Sequence, residues 1–136
     1  MTEVIESFGG VDDFLIYFVV SLALLVSFIA IYVWVTPYHE IQLIRDGNMA
    51  AAFSLSGSML GFVVPLAAAV QHSVSLVDMA IWGVVALLVQ LLAFVGMKLL
   101  IPSITHDIPA GNTAQGFFLG CLSLAVGLLS AACMSF

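Results

Sequence analysis

Four long apolar runs divide this chain, and its polar residues gather in the intervals between them. The runs cover approximately positions 14–35, 49–70, 79–100 and 113–134. A helix rises about 1.5 Å per residue and needs about 20 apolar residues to cross the hydrocarbon of a bilayer, so each run is long enough to span. Lys98 is the one ionised side chain inside them, and it sits near an end, where its long stem reaches the interface. The runs are continuous rather than alternating, as helices require and barrel strands do not. The pattern predicts an all-α membrane protein with four transmembrane helices in a single domain over 1–136.

The intervals orient the bundle. After four crossings Arg45 and Lys98 fall on one side, which the positive-inside rule makes cytoplasmic. Glu3, Glu6, Asp12, Asp13 and Asp78 fall on the other, so both termini are expected outside the cytoplasm. An acidic N-terminal segment also argues against a cleavable signal, which carries a basic one. Tyr17 and Trp82 near the outer ends, and Tyr32, Trp34 and Tyr38 near the inner end, read as interfacial anchors.

Composition narrows the function classes. The chain is 63% hydrophobic and 7% charged, against roughly 45–50% and about 25% in a soluble domain. A net charge of −6 offers no footprint for a phosphate backbone, so no nucleic-acid partner is expected. Cys121 and Cys133 lie about 18 Å apart along one helix and cannot bridge within it. There is no phosphate-cradling loop, nucleophile elbow or intramembrane Ser/His or paired-Asp constellation, so neither catalysis nor a cofactor is expected.

The halves of the chain resemble one another. A shift of 65 places Asp13 on Asp78 and Pro37 on Pro102; after the first inner loop a shift of 64 places Gly47-Asn48 on Gly111-Asn112 and Phe53 on Phe117. Each unit, about 13–70 and about 78–136, reads as acidic residue, helix, Pro, inner loop, Gly-Asn, helix. Two crossings per unit give two parallel two-helix repeats. Pro37 and Pro102 close the incoming helices, Gly47 and Gly111 permit a sharp change of direction, and Asn48 and Asn112 are placed to cap the outgoing ones.

The segments Thr36-Pro37-Tyr38-His39-Glu40-Ile41 and Arg45-Asp46-Gly47-Asn48-Met49-Ala50, with Gly61-Phe62, Trp82-Gly83, Gln90, Pro102, Gly111-Asn112 and Ala131-Ala132-Cys133-Met134, resemble a bacterial inner-membrane family catalogued as domain of unknown function 350. The resemblance spans nearly the whole chain. It implies the doubled two-helix architecture, an inner-membrane location and no particular chemistry; neighbours encoded beside such proteins imply a setting in envelope-stress maintenance.

Several polar and small residues remain as candidates. Ser54, Gly57, Ser58 and Gly61 form one face of the second span, and Gly116 and Gly120 belong to a similar face of the fourth. Such faces let helix backbones approach in lipid, either within one chain or between copies of a homo-oligomer. Gln90 and Gln115 are the largest polar groups within the spans, and each is expected to bond across helices. The inner loops carry His39, Glu40, Arg45 and Asp46, then His106 and Asp107. Glu40 and Arg45 are expected to form a local ion pair, and no metal is expected, because the spacing matches no ligand motif.

No ionisable group lies mid-membrane, which disfavours proton relays and coupled carriers. The expected function is therefore that of a non-catalytic, self-associating inner-membrane protein presenting its inner loops to cytosolic partners. The alternative is an oligomeric channel for ions or small solutes lined by Ser27, Ser54, Ser58 and Gln90. Reporter fusions at the N-terminal tail and at Val74 are expected to read outside the cytoplasm, and fusions beside Arg45 and Pro109 inside. A shared compartment for the tail and Arg45 would overturn this arrangement.

Overall fold

Proline and Gly-Asn punctuation sets the helix boundaries in the computed structural model, which describes the backbone of residues 2–134 and the side chains of 9–134. The side chains of the acidic Glu3 and Glu6 lie outside those described. Six helices follow in order: α1 (Thr2–Val35), α2 (Glu40–Arg45), α3 (Met49–His72), α4 (Leu76–Leu100), α5 (Ile104–Asp107) and α6 (Thr113–Cys133). No strand occurs among the described residues. Gly9–Val35 of α1, together with all of α3, α4 and α6, is long and apolar enough to cross a membrane.

α1 and α4 each stop two residues before a proline, because the pyrrolidine ring pushes the preceding residue out of helical geometry. α1 begins far ahead of position 14, since Gly9, Gly10, Asp12 and Asp13 weaken an apolar pattern without breaking a helix. α2 and α5 lie where the sequence predicts only loops. Each is too short for a hydrophobic repeat to announce it.

The centre of the bundle is a seam between α3 and α6. Gly116 lies against Ala50, Gly120 against Phe53 and Gly57, and Gly127 against Gly61, with main chain meeting main chain at each step. Hydrophobic expulsion does not drive association inside lipid, so helices are held by close packing, and a missing Cβ is what permits this approach. The small-residue faces of the second and fourth spans thus meet each other inside one chain.

α4 closes over the seam. Pro65, inside α3, has no N–H to donate to the carbonyl four residues back, which belongs to Gly61. The buried Gln90 of α4 donates instead, at 3.0 Å, to the Gly61 carbonyl, and with its second amide hydrogen to the Ser123 carbonyl, also at 3.0 Å. Ser58 reaches Ser123 across the same seam at 3.3 Å.

α1 packs on α3 and α4 through its inner half. Phe28 stacks on Phe62 with ring centroids 4.7 Å apart, and Tyr32 meets the edge of Phe94 at 5.6 Å. Its outer half presents Phe14, Leu15, Ile16, Phe18 and Val19 to the surroundings, which lipid satisfies. Ser27 is exposed and returns its hydroxyl to the Ala23 carbonyl at 2.7 Å, so it lines no interior path.

The seam gives a sharp contrast. Gly57→Ala and Gly127→Ala should each destabilise the chain by about 1–3 kcal/mol, because the new methyl falls on fixed backbone. Gly96→Ala, with nothing within 4 Å of the added carbon, should leave the thermal midpoint in detergent unchanged or higher. Equal midpoints for all three variants would contradict the seam.

Candidate functional site

The inner ends of the spans are built by one local device used twice. In the first loop the Gly47 N–H donates to the Ile44 carbonyl and the Asn48 N–H to the Leu43 carbonyl, each bond 2.9–3.0 Å long. In the second, Gly111 donates to Ile108 and Asn112 to Asp107, both at 3.0 Å. These are the paired bonds that end a helix through a left-handed residue. Gly47 and Gly111 adopt φ of 88° and 91°, a conformation costly for a residue with a Cβ. The next residue then opens a span: the Asn48 side chain accepts from the Ala51 N–H at 3.0 Å, and that of Asn112 from the Gln115 N–H at 3.2 Å.

Asn48 does more. Its amide nitrogen donates to the carbonyls of Ile108 and Pro109 at 3.1 and 3.2 Å, joining the first inner loop to the second. Asn112 caps α6 without such a link. One carboxamide therefore satisfies a helix start and fixes the two loops as a single surface.

On that surface His39, Arg45, Asp46 and His106 are exposed, as are Pro37, Pro102 and Gly111. Gln42 donates to Asp46 at 3.2 Å. Asp107 accepts from Ser103 at 2.7 Å and from Gln115 at 2.8 Å, with His106 at 3.5 Å. The Ser103 hydroxyl, followed by the Gln115 amide, holds the Asp107 carboxyl below its ordinary range. Gln115, in the first turn of α6, thus bonds across to the Asp107 carboxylate that ends α5, at the end of the span and not between the spans themselves. No three His, Cys, Asp or Glu side chains converge among the described residues.

Beneath the surface the structure departs further from expectation. Glu40 is fully buried, and neither carboxylate oxygen has a hydrogen-bond partner. Arg45 is exposed on the far end of α2, so the expected Glu40–Arg45 ion pair does not form: the two lie five residues apart and point to different environments. Tyr32 and Tyr38 are buried around the same place, not anchored at the interface, and their hydroxyls also lack partners. Trp34, at 84% exposure, is the inner-end aromatic free to meet headgroups. Burial pushes the Glu40 carboxyl up to about 8, with the nearby Thr36 hydroxyl opposing. Burial and then the Glu40 charge raise the Tyr38 phenol.

The model of the family described as Domain of Unknown Function (DUF350) matches residues 4–134. The chain belongs to this family. It is similar to the UPF0719 inner membrane protein YjfL of Escherichia coli, 43% identical over 119 residues that cover 88% of this chain and 90% of that protein. It is also similar to the UPF0719 transmembrane protein YshE of Bacillus subtilis, 31% identical over 122 residues, or 85% and 88% of the two chains. No solved structure matches.

Asn48→Ala and Asn112→Ala separate capping from joining. Loss of the cap alone should cost about 1 kcal/mol at Asn112. At Asn48 two further hydrogen bonds disappear, so the loss should be about 2–3 kcal/mol. Equal losses in denaturant titration of the two variants would show that the link between the loops contributes nothing.

Proposed function

We propose that this chain is a non-catalytic inner-membrane protein that presents its two inner loops, as one rigid platform, to a cytosolic protein partner. The observation that carries the reading is the Asn48 carboxamide, which binds the second loop while capping α3. Two loops that served only to connect helices would have no need of a fixed mutual geometry, whereas a docking surface gains affinity from preorganisation. The name of the Escherichia coli relative, an inner membrane protein, supports the inner membrane as the location. The Arg45 and Lys98 distribution supports a cytoplasmic platform with both termini outside.

We also read the chain as a tandem duplication of a two-helix unit. The repeated helix ending and cap at 43–48 and 107–112 support it. So does the groove along the α3–α6 seam, whose lining falls into pairs at a spacing of 64: Phe53 with Phe117, Ser56 with Gly120, Gly57 with Cys121, and Leu60 with Leu124. A pore draws no such support, because Ser58 and Gln90 are engaged within the packed bundle and the Ser54 hydroxyl donates to its own helix at Ala51.

Photo-crosslinking side chains placed at His39 and at His106 in living cells should trap the same cytosolic protein, and the same group at Val77 on the outer turn should not. The Asn48→Ala background should weaken both adducts together. Adducts from the outer turn alone, or none from either loop, would refute the platform.

A further inference from the structure

We infer that Glu40, Tyr32 and Tyr38 form a buried site for one monovalent cation, filled either by a proton or by a dehydrated alkali ion such as Na⁺. Four buried oxygen atoms at this end of the bundle lack a hydrogen-bond partner, both of the Glu40 carboxylate and the two phenol hydroxyls, and Glu40 lies near enough to both tyrosines for its charge to act on them. They come from α2, from α1 and from the connector between them. The Ser54 and Ser58 hydroxyls of α3 lie beside Tyr38 and Tyr32 respectively, and that of Thr36 beside Glu40. All six residues are buried.

Among the described residues the titratable groups that face Glu40 are Tyr32 and Tyr38, and no Lys, Arg or His reaches it. A bare carboxylate is not tolerated in apolar surroundings; it binds a proton or a cation, or it pulls its segment back into water. One negative charge calls for one positive charge, and a set made wholly of oxygen suits a hard ion. The fold does not require the carboxyl. α5, the other short inner helix, begins with Ile104, buried to the same degree as Glu40, so an apolar side chain fills the comparable place. The inference does not depend on the platform having a partner.

The test uses the full chain in detergent. Dicyclohexylcarbodiimide attacks protonated carboxyls in apolar surroundings, and mass spectrometry locates the adduct. In buffer whose only cation is a bulky organic amine, labelling of Glu40 should fall about tenfold between pH 7 and pH 9, following a carboxyl that titrates at about 8. If added Na⁺ or K⁺ lowers labelling at fixed pH, the alkali ion occupies the site; if neither does, the proton alone fills it. Labelling that stays flat across this range would overturn the site.

Thermal midpoints give a second readout that requires no reagent to enter. The folded carboxyl holds its proton up to about 8, whereas the unfolded chain releases it near 4.5. Between these values the native state binds more protons, so stability should fall as pH rises across the window and level off above it. Glu40→Gln should abolish the slope. A wild-type midpoint as insensitive to pH as that of Glu40→Gln would refute the inference whatever the labelling shows.

Discussion

Backbone carbonyls inside a bilayer have no water to turn to, and the structure is organised around one carbonyl that its own helix does not satisfy. Pro65 leaves the Gly61 oxygen without its usual donor, in the middle of a membrane-spanning segment. Gln90 supplies the missing bond from α4 and uses its second amide hydrogen on the Ser123 carbonyl of α6, so one side chain fastens three helices. The arrangement works only because α3 and α6 are in direct main-chain contact there. The glycines at 57, 61, 120 and 127 make that contact possible. A proline that would weaken an isolated helix has in this place become the reason for a specific three-way junction.

That junction sets what the inner end can be. With α3 and α6 in contact, their starting residues lie close enough for Asn48 to reach the Ile108 and Pro109 carbonyls. The short helices α2 and α5, each ended by a left-handed glycine, then fold back against the bundle instead of extending into water. Ile104 and Ile108 follow α5 into the core, and Glu40 follows α2. The exposed polar residues of the two loops are left on the outside of a surface whose underside is packed.

Spans, helix ends and caps were legible in the sequence, and the course of the short segments between the spans was not. The four spans follow from hydropathy because lipid imposes a length, and the helix ends follow from Pro37 and Pro102 because the ring geometry is local. Asn48 and Asn112 could be placed as caps, and the glycine stripes as contact faces. The burial of Tyr32, Tyr38 and Glu40 could not be read, since an aromatic or acid near a span end looks the same whether the following segment turns outward or back. A four- to six-residue helix carries no periodicity to decide the matter. Gln90 was legible as a side chain that bonds across helices, and its acceptor could have been named as well: a proline within a span leaves the carbonyl four residues earlier in need of a donor.

The contrast between the two inner helices bears on why an acid is buried at all. α2 and α5 start with residues that are equally inaccessible, one a carboxylic acid and the other an aliphatic chain. Tyr32 sits 65 positions before Met97, the same spacing that relates Pro37 to Pro102, and both side chains are fully buried. The chain thus buries Met97 and Ile104 toward the end of α4 and the start of α5, and Tyr32 and Glu40 toward the end of α1 and the start of α2. Replacing a buried polar group by an apolar one of similar volume is often neutral or stabilising. The polar set at the inner end of α1 and α2 therefore opposes stability while the apolar set supports it, within one fold and under one set of packing constraints. Stability gives no reason for keeping the more costly of the two solutions in one half of the chain, and a site that takes up and releases a positive charge does.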